Sequence, residues 1–207
     1  MLDVGAGSGY FVGALAKCGI PSRGIEISKE QVSYGNLMLG KALLKAVKNE
    51  DILQEIASCN ESIVSFIGVL EHLVDFHEPL KCIAQNPNIH YIFFSVPLFC
   101  FTCLLEAINP QIFNRHLGGG HTHLFSKQSL DYMYRKYNMA PVAVWDFGSD
   151  IMDLRRHMLI NLSNQNTNVK ILNIIESFFA NNSDSLQTII DKSSFASETH
   201  VLVKIER

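Results

Sequence analysis

Three glycines near the start of the chain have the spacing of a loop that holds a ligand against the main chain. Gly5, Gly7 and Gly9 stand in LDVGAGSGYF, between a short apolar run and a helical pattern. Glycine lets the backbone turn sharply and lets a ligand approach it closely, and a helix that begins here offers unpaired N–H groups. Glu26 ends the next predicted strand, 21 residues after Gly5. A carboxylate at that place can accept hydrogen bonds from the hydroxyls of an adenosine ribose.

The details of the loop distinguish two classes of cofactor. A dinucleotide fingerprint reads G-x-G-x-x-G, but here the pattern is G-x-G-x-G, and Tyr10 stands at the sixth position. Asp3 lies two residues before Gly5, where its carboxylate would repel a pyrophosphate and attract an ammonium group. The pattern therefore favours a ligand with an adenosine end and an amino acid end, such as S-adenosylmethionine. An NAD-dependent oxidoreductase is the less favoured alternative.

The same segments resemble the motifs of one enzyme family, the class I S-adenosylmethionine-dependent methyltransferases of the small-molecule branch. Five segments match these motifs in the expected order and cover residues 1 to about 140. They are Asp3–Tyr10 (motif I), Gly24–Ser28 (the second motif), Asn49–Ile52 (the adenine-reading position), Ile67–Leu73 with Pro79 and Leu80 (VLEHL…PL), and Phe94–Pro97 (the SVP end of the fifth strand).

The resemblance implies a set of cofactor-binding residues. In this set Asp3 holds the methionine amino group through water, Glu26 binds the ribose hydroxyls and Gly68 lets the backbone approach the sulfonium. Asp51 would accept a hydrogen bond from the adenine amino group, and a solvated loop acid is the less favoured alternative. The full set is Asp3, Gly5, Ala6, Gly7, Gly9, Tyr10, Glu26, Ile27, Asp51, Ile52 and Gly68.

Methyl transfer from S-adenosylmethionine requires the acceptor atom to be aligned with the methyl group and, for some acceptors, a general base. The candidate bases are His72, directly after the predicted fourth strand, and His121 and His123 in GGGHTHLFS. A structural role for His72 is the alternative. Some members of the family bind a divalent ion through Glu-x-x-Glu-His. This chain keeps Glu71 and His72, with His121 as a residue that could complete the set, but it has Gly68 at the first position. We therefore expect no metal there.

The pattern of elements predicts an α/β fold with a doubly wound, mostly parallel seven-stranded sheet (Rossmann-like) and, as the resemblance implies, an antiparallel last strand. Short apolar runs alternate with helical patterns over the first two thirds of the chain, as in βαβ units. Residues 98–125 are expected to be irregular. A helical insertion is expected at 149–198, with helices near 152–162 and 169–180, inside a single domain of residues 1–207.

Composition narrows the function classes. The 207 residues are 47% hydrophobic and 18% charged, with a formal charge of −3, which excludes a largely disordered chain and argues against a basic nucleic-acid-binding surface. The longest uncharged apolar stretch, 91–105, is too short to span a bilayer. Cys100 and Cys103 form a CxxC pair, but a zinc site would need two more ligands, so buried free thiols are expected.

These observations together predict methyl transfer from S-adenosylmethionine to an O, N or C atom of a small-molecule acceptor. A catalytically inactive S-adenosylmethionine-binding partner subunit is the main alternative. A cytoplasmic protein with no nucleic-acid partner and no stable membrane insertion is expected. Motif I begins at Asp3, so the resemblance also implies a chain shortened at its N-terminus.

Overall fold

The computed structural model describes residues 1–112, 114–118, 120–193 and 195–207. In these ranges the chain forms seven strands and eight helices, with 3-10 turns at Asn49–Asp51 and Leu70–His72. The strands are β1 (Leu2–Val4), β2 (Arg23–Glu26), β3 (Leu44–Ala46), β4 (Ile63–Ile67), β5 (Tyr91–Pro97), β6 (Met139–Phe147) and β7 (Glu198–Ile205). The helices are α1 (Tyr10–Lys17), α2 (Lys29–Leu39), α3 (Ile52–Ser58), α4 (His77–Gln85), α5 (Phe101–Ile108), α6 (Lys127–Lys136), α7 (Asp150–Asn164) and α8 (Val169–Asp191).

The strands form one sheet in the order β3-β2-β1-β4-β5-β7-β6. The pairs β1–β2, β1–β4, β2–β3 and β4–β5 are parallel, and β7 is antiparallel. The predicted fold class is therefore confirmed. The strand order reverses beside β1, and in open α/β sheets ligands bind outside the carboxyl ends of the strands at such a point.

By its internal contacts the chain divides into two compact units. The first comprises residues 1–96, 128–144 and 200–207. Its core is the apolar sheet, with Leu2, Val64, Phe66 and Phe94 all at most 1% exposed. Most residues of these buried strands are apolar, as expected for a parallel sheet covered by helices, and Asp3 in β1 and Ser65 in β4 are buried polar exceptions.

Helix α2 shows how local sequence sets the boundaries of the elements in this unit. The Ser28 hydroxyl oxygen accepts a hydrogen bond from the backbone N–H of Gln31 at 3.2 Å, as a serine N-cap does. Gly40 ends the helix with a positive φ of 63°, a conformation that glycine adopts without a Cβ penalty. The sequence alone predicts both boundaries, since Ser28 with Gln31 fits a capping box and Gly40 follows the helical pattern, and both predictions are confirmed.

The second unit comprises residues 97–127 and 145–199. Its helices α7 and α8 confirm the predicted helical patches, but the expectation of an irregular segment over 98–125 is wrong, because α5 lies within it. The carboxylate of Asp150 caps α5 by accepting from the Thr102 N–H at 3.0 Å and from the Thr102 hydroxyl at 2.8 Å. This cap comes from 48 residues along the chain, so no local pattern announces it.

Among the described residues, no helix combines the length and the apolar character that crossing a membrane requires.

Candidate functional site

A cavity of about 630 Å³ lies in the first unit, where β1, β2 and β4 end. Its lining residues come from the ends of these strands and from the segments that follow them. Gly5 follows β1, Glu26 and Ile27 stand at the end of β2, and Gly68 and Val69 follow β4. The topology of the sheet therefore places the cavity at the ligand-binding edge.

The glycine loop between β1 and α1 is held in a conformation that requires glycine. Gly5, Gly7 and Gly9 have φ values of 71°, 55° and 77°, which L-residues with a side chain rarely adopt. The backbone N–H groups of Gly5 and Ala6 both donate to the Ile25 carbonyl, at 2.9 and 3.0 Å. A Cβ on Gly5 would lie 2.6 Å from Cγ2 of Val69. The loop is thus packed against both β2 and the segment after β4.

Glu26 joins the end of β2 to this loop. One carboxylate oxygen accepts from the Gly7 N–H at 2.9 Å, and the other accepts from the N–H groups of Ile27 at 2.8 Å and Ser28 at 3.0 Å. The residue is 9% exposed. A carboxylate has about four acceptor positions, so three backbone donors leave about one position for a ligand hydroxyl.

Asp3 is the second acid of the site and lies inside the sheet. It is 2% exposed, and the Ser65 hydroxyl of β4 donates to its carboxylate at 2.6 Å. Burial raises the pKa of Asp3 from its ordinary value of 3.8 to about 6, against the lowering effect of the Ser65 hydrogen bond; the negative charge of Glu26 raises it further. A cation bound nearby would stabilise the ionised carboxylate.

The turn after β4 supplies the opposite wall of the cavity. Gly68 has a φ of 63°, and its N–H donates to the Ser95 hydroxyl oxygen at 3.0 Å. A 3-10 turn then carries buried Glu71 and exposed His72. His72, Leu73 and Val74 line the cavity, so this turn brings an imidazole and apolar side chains to it.

Residues 1–144 match the family model of the methyltransferase domain. The chain belongs to the methyltransferase-domain family. It is an S-adenosylmethionine-dependent methyltransferase with the class I fold, as its sheet order and the segments at the carboxyl edge already indicate.

Solved structures share this fold over nearly the whole chain. The S-adenosylmethionine-dependent methyltransferase from Archaeoglobus fulgidus is 15% identical, with a TM-score of 0.58, and the match covers 98% of this chain and 84% of that one. The magnesium protoporphyrin IX methyltransferase from Synechocystis PCC 6803, solved with bound SAH, is 12% identical, with a TM-score of 0.58 and coverage of 99% and 73%. No curated protein sequence matches the chain significantly.

The cavity of the methyltransferase brings together part of the predicted site. Of the predicted cofactor and catalytic residues, those that line it are Gly5, Glu26, Ile27, Ile52, Gly68 and His72. Asp3, Ala6, Gly7, Gly9 and Tyr10 lie in β1, the glycine loop and the first turn of α1. Tyr10 is 70% exposed.

Asp51 was predicted to contact the adenine, but its neighbour Asn49 is the residue that lines the cavity. Asp51 is an exposed residue at the end of the 3-10 turn that follows β3, and Asn49, at the start of that turn, lines the cavity. The amide of Asn49 can both donate and accept hydrogen bonds.

The two remaining predicted catalytic residues belong to the second unit. Nδ1 of His121 lies 3.2 Å from the His116 carbonyl oxygen, and Nδ1 of His123 lies 2.9 Å from the Thr122 hydroxyl oxygen. Both side chains are partly exposed.

Sequence reasoning missed most of the apolar lining of the cavity. Val69, Leu73, Val74 and Pro79 line it. Three of them belong to the VLEHL…PL motif and Val74 follows Leu73 directly, but the sequence prediction named only Gly68 and His72 from this region. The signal was therefore present in part, because a glycine after a strand, followed by apolar residues, suits a turn that packs on a flat apolar ligand.

Proposed function

We propose that this methyltransferase transfers a methyl group from S-adenosylmethionine to an oxygen, nitrogen or carbon atom of a small molecule, and that the cavity beside β1, β2 and β4 holds the cofactor. The placement of the cofactor in this cavity rests on the carboxylate of Glu26. Its buried carboxylate faces the cavity and keeps about one acceptor position after its three backbone hydrogen bonds. A ribose hydroxyl is the donor that would fill it.

The apolar part of the cavity suits the adenine ring. Ile27 is 57% exposed, Leu53 is 38% exposed and Val74 is 87% exposed, and all three line the cavity. Exposed apolar side chains around a concave surface gain free energy when a ligand covers them. We assign Asn49 or Asp51 to the hydrogen bond with the adenine amino group.

The glycine loop suits the opposite end of the cofactor. Positive φ values at Gly5, Gly7 and Gly9 leave the main chain open to close approach, and Asp3 supplies a carboxylate for the methionine ammonium group. When bound, the sulfonium of the cofactor supplies an electrophilic methyl carbon. The protein then contributes alignment of the acceptor and the removal of its proton where the acceptor carries one.

His72 is the candidate base within the first unit because it lines the cavity. His121 and His123 remain candidates on the second unit. A base is recognised by a pH-dependent step, so the pH profile of kcat for His72→Gln, set against His121→Gln and His123→Gln, identifies which imidazole acts. A variant that lowers kcat without shifting the profile has only a positioning role.

A small-molecule acceptor is favoured by the charge of the chain, which is −3 overall. The methyltransferase from Synechocystis named above acts on a porphyrin, as its name states. In the test, the protein is incubated with S-adenosylmethionine and either the low-mass filtrate or the macromolecular fraction of a cell extract. The formation of S-adenosylhomocysteine is then measured. Formation only with the filtrate supports the proposal, and formation only with the macromolecular fraction refutes the acceptor class.

The cofactor site is tested by calorimetric titration of S-adenosylmethionine and S-adenosylhomocysteine into wild type and Glu26→Gln. Hydrogen bonds to a charged group contribute about 1.5–3 kcal/mol, so the variant should bind about 10- to 150-fold more weakly. Glu30→Gln is the control, since Glu30 is an exposed acid in the first turn of α2, and it should bind as wild type does.

Two results would contradict the assignment. The first is wild type binding neither ligand, and the second is Glu26→Gln binding as tightly as wild type. Binding of NAD in place of both ligands would instead support an oxidoreductase. Binding without turnover in either fraction would support an inactive partner subunit.

A further inference from the structure

In the second unit, three potential metal ligands meet at the start of α5. The sulfur atoms of Cys100 and Cys103 and a ring nitrogen of His116 all lie within 4.8 Å of one another. Cys100 is 0% exposed, Cys103 is 1% exposed and His116 is 3% exposed. We propose that these three side chains bind one Zn²⁺ ion.

The buried imidazole is the observation that points to a ligand. Among the described residues, neither ring nitrogen of His116 has a hydrogen-bond partner, and both are inaccessible to solvent. Leaving a buried polar atom without a partner is unfavourable, and native proteins rarely keep such atoms without a reason. A metal ion bound to one ring nitrogen supplies the partner of that atom.

The backbone that presents His116 is held in place from α5. The Glu106 carboxylate, 1% exposed, accepts hydrogen bonds from the N–H groups of Arg115 at 2.7 Å, His116 at 3.0 Å and Leu117 at 2.8 Å. Three donors converging on one buried carboxylate fix this segment against the helix that carries Cys103. The imidazole is therefore placed beside the sulfurs by a built arrangement.

The spacing and type of the donors suit zinc. The two sulfur atoms are 3.5 Å apart, close to the roughly 3.8 Å expected between two thiolates on a tetrahedral zinc ion with Zn–S bonds of about 2.3 Å. Cysteine sulfur and histidine nitrogen are the donor atoms that zinc binds most often in proteins.

Charge balance favours a divalent ion in this buried place. Two thiols lose their protons to solvent when the ion binds, so two thiolates, one neutral imidazole and Zn²⁺ sum to zero charge. A neutral site avoids the cost of burying a net charge, whereas a monovalent ion would leave one negative charge. Cys₂His donor sets bind zinc in proteins with a small molecule in the fourth position.

The site is tested on the full chain, purified and handled without oxygen. We expect metal analysis to find about one zinc per chain, and X-ray absorption of the zinc protein to show two sulfur neighbours and one nitrogen neighbour. These measurements use wild type alone, so they do not depend on whether a variant folds. The absence of stoichiometric zinc, or a shell of oxygen and nitrogen only, would overturn the proposal.

Variants assign the ligands. After chelation, Co²⁺ is titrated into wild type, Cys103→Ser and His116→Gln, and its thiolate charge-transfer absorption is followed. Each variant should bind at least about 100-fold more weakly, since even loss of an outer partner costs 10- to 100-fold. Cys59→Ser, a buried thiol of the first unit, is the matched control and should bind as wild type does.

Two further outcomes count against the site. One is equal weakening by Cys59→Ser, which would place the metal elsewhere. The other is a Cys100–Cys103 disulfide in protein isolated without oxygen, which would make the pair a redox couple.

Discussion

Replacing Asp3 by Asn should stabilise the free protein at neutral pH while weakening its affinity for S-adenosylmethionine. Asp3 is 2% exposed and accepts a hydrogen bond from Ser65 at 2.6 Å. Burial raises its pKa from 3.8 to about 6, so the folded state holds a charge there at an energetic cost. An Asn side chain has nearly the same shape and keeps a carbonyl oxygen for the Ser65 hydroxyl.

The size of the effect follows from linkage between proton binding and folding. The folded state binds the Asp3 proton more tightly than the unfolded state does, because its pKa is raised. The free energy of unfolding of wild type therefore falls as the pH rises from about 4 to about 6 and is level above that. At 1.36 kcal/mol for each pKa unit, a shift from 3.8 to about 6 amounts to about 3 kcal/mol.

The assay is urea unfolding of wild type and Asp3→Asn at several pH values between about 4 and 8. The difference in unfolding free energy, variant minus wild type, should grow by about 3 kcal/mol across this range. Asp131→Asn, at an exposed position on α6 in the same unit, should show no such growth. A difference that is constant with pH, or that grows in favour of wild type, would refute the account of Asp3.

Cofactor binding should respond in the opposite sense. If the Asp3 carboxylate holds the ammonium group, then protonation below about pH 6 competes with binding, and wild-type affinity should fall up to tenfold per pH unit. Asp3→Asn should bind more weakly at pH 7 and lack this dependence. Calorimetric titration at pH 5, 6 and 7 measures both, and equal affinities of wild type and variant at pH 7 would remove Asp3 from the site.

Two further predictions use matched pairs in the first unit. Ile27→Ala should lower the affinity for S-adenosylmethionine about fivefold, since covering a half-exposed isoleucine contributes about 1 kcal/mol. Ile20→Ala, at a 44% exposed isoleucine outside the cavity lining, is the control and should bind as wild type does. Equal titration curves for the two variants would disprove the adenine contact. Gly5→Ala and Gly19→Ala both place alanine at positive φ, at about 1–2 kcal/mol each. Only the former meets Val69, at 2.6 Å, so thermal unfolding should show a larger loss and titration should show weakened cofactor binding for Gly5→Ala alone.

Local signals predicted much of the fold because they act over a few residues. The Ser28 cap depends on Gln31, three residues away, and the end of α2 at Gly40 depends on that glycine alone; the structure confirms both. Helix α5 was missed because its cap is the distant Asp150. Without Asp150 as a cap, the apolar residues at 98–108 are as compatible with an irregular segment as with a helix.

The candidate site divides in the same way. The glycines of the loop were predictable, since a sharp turn at a strand end requires residues without a Cβ. Asn49 lines the cavity and Asp51 does not, because of the direction of the 3-10 turn that contains both. The three adjacent polar residues Asn49–Asp51 do not by themselves indicate that direction. The contribution of Val69 and Val74 depends on how the turn after β4 folds back over the cavity.

The sequence by itself determined the order of the strands, the glycine loop and the presence of an acid at the end of β2, because periodicity and residue type express these directly. Tertiary structure decided the raised pKa of Asp3, the three backbone hydrogen bonds that leave Glu26 about one acceptor position, and the meeting of Cys100 and Cys103 with His116. Each of these depends on burial and on groups brought together from separate segments. Desolvation and convergence are properties of the folded chain, so no spacing along the sequence could supply them.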